Sequence, residues 1–98
     1  MKREEVLKEM KKYTPFQQAV WKACMSIPAG QTRSYGWIAE KIGKPGAVRA
    51  VGSALGRNPF APIVPCHRVI KSDGTLGGFS GPGGLRTKLK LLKKEKAL

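Results

Sequence analysis

The stretch Pro65-Cys66-His67-Arg68-Val69 sets the only histidine of a 98-residue chain beside one of its two cysteines. A thiolate is the strongest common side-chain nucleophile, and a base nearby keeps it available. The pair could therefore carry nucleophilic catalysis. A buried small hydrophobe next to a surface histidine would read the same over five residues, because short motifs match by chance. A metal site is disfavoured, since Cys24, Cys66 and His67 lack the usual ligand spacing and a fourth partner.

A third residue bears on the same chemistry. Beyond Glu40 the acids are Asp73, in a turn sequence, and Glu95. The last helix should start near Leu85, with Leu85, Leu89 and Leu92 on one face and Glu95 three residues further along it. A carboxylate in phase with an apolar stripe needs a hydrogen-bonded partner, and the single histidine is the obvious one. Cys66, His67 and Glu95 would then be nucleophile, base and orienting acid. Fraying of Glu95 into solvent near the chain end is the competing reading.

The elements that must position these residues are mostly helical. Residues 3–12 read as a charged helix with Val6, Leu7 and Met10 able to pack. Thr14-Pro15-Phe16-Gln17 is a capping box with proline at the first helical position. Phe16, Ala19, Val20, Ala23, Cys24 and Ile27 follow at helical spacing as one apolar face, so Cys24 is expected to be a buried, inert thiol. Pro28-Ala29-Gly30 ends this helix. Ser34 should cap a helix from Tyr35 to about Ile42, with Gly43 as its stop. Pro45 should start another, running to about Leu55, and the pair suggests a helix-turn-helix.

The second of that pair has an unusual outer face. Ala47, Ala50, Val51, Ala54 and Leu55 are expected inward, leaving Val48, Arg49, Gly52, Ser53 and Gly56 opposite. Glycine inside a helix costs about 1 kcal/mol relative to alanine, so two glycines and a serine on an exposed face need a reason. Close approach of the helix backbone to a nucleic-acid groove is one. Arg49 would then be the single long side chain on a smooth ridge. Packing of small residues on another helix is the alternative.

After the Arg57-Asn58-Pro59 break, Phe60 to Val64 should be extended and rigid, with Pro62 and Pro65 arguing against a central strand. Val69-Ile70-Lys71 and Thr75-Leu76 flank Ser72-Asp73-Gly74 as a small β-hairpin or wing. Gly77–Gly84 is glycine-rich but lacks the lysine and hydroxyl of a phosphate loop. The expected fold is mostly α with a small β-hairpin, a winged helix-turn-helix-like single domain.

Composition sets the partners. The formal net charge is +13, of which residues 1–40 contribute +3 and residues 41–98 contribute +10. The excess sits in the half that holds Cys66. A polyanion is the natural partner and nucleic acid the commonest; a basic surface without a dedicated partner is the alternative. No run is apolar enough to span a membrane and no signal peptide opens the chain, so we expect no membrane association and reduced thiols in the cytoplasm, nucleoid-associated in a prokaryote.

Taken together, these motifs resemble the C-terminal domain of O6-alkylguanine-DNA alkyltransferases. The matching stretches are Thr14-Pro15-Phe16-Gln17-Gln18-Ala19-Val20-Trp21, Ile27-Pro28-Ala29-Gly30, Ser34-Tyr35-Gly36, Arg49-Ala50-Val51-Gly52, Asn58-Pro59, Pro65-Cys66-His67-Arg68-Val69, and Leu91-Leu92 followed by Glu95. They cover roughly residues 14–95, with residues 1–13 as an N-terminal extension to a domain spanning 14–98.

The resemblance implies that Cys66 accepts the alkyl group from guanine O6. His67 would deprotonate it through a water, and Glu95 would orient His67. Tyr35 would assist base extrusion and protonate the leaving guanine, Arg49 would fill the vacated base stack, and Asn58 would brace the active-site turn. Ser34, Tyr35, Val48, Arg49, Gly52, Ser53 and Arg57 are the expected DNA-binding residues, and Val69, Phe79 and Ser80 the substrate pocket. The expected partner is double-stranded DNA containing O6-alkylguanine, bound by a monomer, with transfer following base flipping. No cofactor is expected, because the alkyl donor is the lesion.

Two features depart from the family pattern. The usual N-terminal domain has no counterpart ahead of residue 14. The Gly77–Gly84 loop is longer, with Gly81-Pro82 extra and Phe79 in place of a tyrosine. A related class, the alkyltransferase-like proteins, is often this short; those bind the lesion without repairing it and usually carry tryptophan in place of the cysteine. A general basic DNA-binding domain with a structural Cys66 is a third reading.

Overall fold

The computed structural model describes residues 2–60, 63–71 and 84–96. In chain order the elements are α1 (Arg3–Met10), α2 (Pro15–Met25), β1 (Arg33–Ser34), α3 (Tyr35–Lys41), α4 (Val48–Gly56), a 3-10 turn (Cys66–Arg68), β2 (Val69–Ile70) and α5 (Gly84–Lys94).

Local sequence sets the start of α2 and both ends of α3 as the cap rules require. The Gln17 backbone N–H donates to Thr14 Oγ1 at 3.1 Å while the Thr14 N–H donates to Gln17 Oε1 at 3.2 Å, a complete capping box on α2. Ser34 Oγ accepts the Trp37 N–H at 2.9 Å and caps α3. Gly43 closes α3 at φ +77°. Its N–H reaches Glu40 O and the Lys44 N–H reaches Ala39 O, which is a Schellman ending that only the left-handed residue permits.

α2, α3 and α4 pack on one another around Val20, Trp21, Cys24, Ile38, Ala39, Val51 and Leu55. Trp21 is fully buried and donates its indole N–H to Ala54 O at 2.9 Å, locking α2 to α4. Tyr13 and Phe60 meet it edge-on, with ring centroids 5.0 and 5.6 Å away. α1 covers this layer with Val6 and Met10, both fully buried.

Three expectations need correction. Pro45 does not begin α4. The Ala47 N–H donates to Lys44 O, so residues 44–47 make a separate turn and the helix starts at Val48, because Gly46 breaks the run between proline and helix. Ala50, expected inward, is exposed, and Ala47 is half-buried; the buried face of α4 is the narrower set Val51, Ala54 and Leu55. Phe60 and Val64 are not the ends of an extended run, since the Val64 N–H donates to Phe60 O at 3.1 Å; residues 61 and 62 lie outside the described residues. Among the described residues the β-structure is a parallel pair, Arg33 opposite Val69 and Ser34 opposite Ile70. Thr75-Leu76, the hairpin's other arm, lies outside the described residues.

Candidate active site

Pro65, at φ −82° and ψ 65°, is the centre of an inverse γ-turn that presents Cys66. The Cys66 N–H donates to Val64 O at 2.8 Å across it, and the Arg68 N–H donates to Pro65 O at 2.9 Å. Asn58 ties this turn down from the end of α4. Its Nδ2 donates to Val64 O at 2.9 Å, and its Oδ1 accepts the Phe60 N–H at 2.8 Å. Both faces of one amide are thus used on backbone, which fixes the carbonyl that the Cys66 N–H also uses.

Cys66 is half-buried, and burial pushes its thiol above the ordinary cysteine value; the Asn58 side chain and the Lys88 charge pull it partly back. The thiol therefore needs a base to lose its proton at neutral pH. His67 is 2% exposed, and burial outweighs Glu95 in holding its pKa below the usual 6.5. A neutral imidazole is the form that can take a proton.

Glu95 sits just past α5, with Oε1 3.1 Å from His67 Nε2. The approach is off the ring N–H direction, and Nε2 makes no aligned hydrogen bond. The carboxylate's firmest partner is Arg68, whose Nε donates to Oε1 at 2.9 Å and whose Nη2 donates to Oε2. That fork is the first cause holding the Glu95 carboxyl below the ordinary glutamate value. Gly30 makes room for this end of α5. It adopts φ +87°, and a side-chain carbon there would come within 3.2 Å of Glu95 O.

Tyr35 opens α3 beside the same cluster, half-buried, its hydroxyl pKa raised by burial and then by the neighbouring Cys66. Lys88 is fully buried and was not singled out in the sequence. Its Nζ donates to Val69 O at 2.7 Å and stands 6.0 Å from the Tyr35 ring centroid, and burial brings its pKa down to about 8. Lys88 lies three residues after Leu85 and four before Leu92, so the phase argument applied to Glu95 would have found it.

The residues expected on α4 form an exposed face of that helix. Val48 is 41% exposed, and Arg49, Ser53, Gly56 and Arg57 are exposed along α4. Among the described residues nothing lies within 4 Å of where a side-chain carbon at Gly52 would stand, so no described helix packs on this face. Ser34 spends its hydroxyl on the α3 cap. Val69 is buried in β2. Phe79 and Ser80 lie outside the described residues.

Residues 15–97 match the family model described as "6-O-methylguanine DNA methyltransferase, DNA binding domain". The chain belongs to this family. It is 61% identical over 83 residues to a methylated-DNA–protein-cysteine methyltransferase of Mycobacterium leprae, covering 85% of this chain and 49% of the relative. The fold superposes with a TM-score of 0.82 and 59% identity on the Mycobacterium tuberculosis OGT structure solved in complex with DNA, covering 87% of this chain and 52% of that one. The chain thus spans about half the length of the methyltransferases it matches. Schizosaccharomyces pombe Atl1, solved with DNA containing O6-carboxymethylguanine, superposes at TM-score 0.70 and 30% identity over 97% of this chain and 79% of its own. Within the methyltransferase family frame, the described residues hold two separate constructions: a tied turn around Cys66 and an open ridge on α4.

Proposed function

We propose that this chain repairs O6-alkylguanine in double-stranded DNA by transferring the alkyl group once, irreversibly, to Cys66. The observation that carries the reading is the half-buried Cys66 thiol on a braced turn beside a buried neutral His67, with Glu95 3.1 Å from the imidazole. The roles assigned by resemblance fit that placement. The Cys66 S–H gives its proton towards His67, and the sulfur attacks the O6-bound alkyl carbon in line. The C–O6 bond breaks, its electron pair goes to guanine, and the guanine is neutralised by a proton from Tyr35, which regains one from solvent as His67 releases the proton it took. The products are a Cys66 thioether and an unmodified guanine.

The α4 ridge is the DNA-binding element in this reading. Arg49 is its wedge and Val48, Gly52, Ser53 and Arg57 its flanking contacts; Ser34 orients Tyr35 through the α3 cap. Flipping the base costs about a few kcal/mol, and Arg49 lowers that cost by occupying the gap. Residues 14–98 correspond to the family's C-terminal, active-site portion. Residues 1–13 form an extension docked on it through α1, and the working unit is a monomer in a reducing compartment such as the cytoplasm. Val69, Phe79 and Ser80 supply the base pocket.

The second reading is lesion binding without transfer. Its support is the superposition on Atl1, at TM-score 0.70 and 30% identity. Peptide mass spectrometry after incubation with an O6-methylguanine duplex separates the two. One added methyl group on the Cys66 peptide supports transfer. Tight lesion binding with an unchanged peptide mass supports the second reading and ends the first.

A further inference from the structure

The triad logic expects a carboxylate aimed at the imidazole. Here the carboxylate is divided. Arg68 takes both oxygens of Glu95, Nε to Oε1 at 2.9 Å and Nη2 to Oε2, and its third nitrogen, Nη1, donates to Ile27 O at 2.8 Å just beyond α2. Three nitrogens of one planar group are committed to acceptors from two segments, so the guanidinium has no freedom to turn. Both side chains of the pair are 17% exposed, which shields the contact from solvent screening. What remains for His67 is one oxygen, already accepting from Arg68, 3.1 Å away and off the N–H line.

We propose that Arg68 is a positioning residue for this site: it holds the Glu95 carboxylate in a fork that denies His67 a full ion pair and so leaves the imidazole as a base. The inference rests on the transfer reading above, but its physical core does not. A carboxylate released from Arg68 would turn to the donor already 3.1 Å from it, His67 Nε2, and would favour the imidazolium. An imidazolium cannot accept the thiol proton. Arg68 also places positive charge beside His67, which works in the same direction. The other groups facing His67 are Lys88 from α5 and the neighbouring Cys66; Cys24 of α2 faces Arg68 as a thiol whose pKa burial raises.

His67 is the only histidine, so its ring protons titrate alone in a proton–carbon NMR spectrum of the full chain. We expect Arg68→Gln to raise the His67 pKa by about one pH unit. In the Glu95→Gln background the same substitution should produce a clearly smaller rise, because no carboxylate remains to be released. Arg68→Lys, which keeps the charge but loses the fork, should shift the titration in the same direction by less, and serves if the glutamine variant does not fold. The acid limb of single-turnover transfer should move up by the same amount, with the rate recovering at higher pH. A His67 titration unchanged in a folded Arg68 variant overturns the proposal, as does a rate loss equal at every pH, which marks a purely structural tie. If the wild type transfers nothing, the transfer reading fails, and the titration still decides the role of Arg68.

Discussion

The Cys66 turn and the α4 ridge are built by opposite means. Around Cys66 polar groups are tied across the fold: Asn58 to Val64 and Phe60, Lys88 to Val69, Arg68 to Ile27 and Glu95. On α4 the construction is subtraction. Glycine and serine leave an exposed surface that also carries Arg49, with no described residue within 4 Å of a side-chain carbon at Gly52. A site that must aim a nucleophile spends hydrogen bonds on rigidity. A face that must admit a large partner spends helix propensity on clearance, about 1 kcal/mol for each glycine. The two regions should therefore fail differently when altered.

The largest effects belong to the tied region. His67→Ala should slow single-turnover transfer at pH 7 by roughly a hundredfold or more, since a positioned base contributes about that factor. Duplex affinity should be unchanged. Glu95→Gln should slow transfer less, with affinity again intact; equal rates in wild type and variant would remove Glu95 from the mechanism. Burial holds His67 below its usual pKa, so the acid limb of the wild-type rate should be centred below pH 6.5, where an exposed histidine is half protonated. An acid limb centred at or above 6.5 contradicts a neutral buried base. The same shift predicts stability with its sign: the unfolded chain binds the His67 proton first, so this contribution is present above 6.5 and is lost as pH falls towards the folded value.

Paired glycine substitutions sharpen the contrast, because one change should act with opposite sign in the two regions. Gly30→Ala should destabilise the fold by about 1–3 kcal/mol, from strain at positive φ together with the 3.2 Å approach to Glu95 O. Gly52→Ala should stabilise it by about 0.4–1 kcal/mol, since the helix gains and nothing is displaced. Thermal melts read both. A destabilising Gly52→Ala would mean that the face is packed rather than open. Gly52→Leu should keep the fold and weaken all duplex binding by holding the helix off the groove.

Much of this contrast was legible in the sequence, for reasons of range. The capping box of α2, the Ser34 cap and the Gly43 stop are decided within a few residues, and the chain states them openly. Cys66, His67 and Glu95 were legible because each is the only residue of its chemistry in its context. Longer ties were not. Two-residue strands pairing Arg33 with Val69 leave no periodic signal. Trp21 is out of phase with the apolar face of α2 and is buried because Tyr13 and Phe60 close over it from elsewhere. Arg68 looked like part of a motif rather than the clamp on Glu95, and Lys88 hid among the lysines of α5. The start of α4 was misplaced because proline suits a first helical turn but equally suits the turn formed by residues 44–47.

Smaller effects belong to the ridge. Arg49→Ala should slow transfer roughly tenfold for a well-paired lesion in duplex and less for a mismatched or single-stranded one, where flipping is cheaper. A uniform slowing would make Arg49 a phosphate contact. Duplex affinity should also fall steeply with salt, because each neutralised phosphate releases counterions with a slope of about −0.9. A flat response would detach the +10 balance of residues 41–98 from DNA binding.

The central claim is that the tied turn makes Cys66 an acceptor rather than a structural thiol. Titrating this chain with duplex carrying radiolabelled O6-methylguanine tests it most directly. Label on the protein should saturate at one methyl per chain, with guanine restored in the DNA, and Cys66→Ala should bind the same duplex while taking up no label. Saturation at zero in a folded, duplex-binding wild type, or undiminished uptake by Cys66→Ala, would contradict the account.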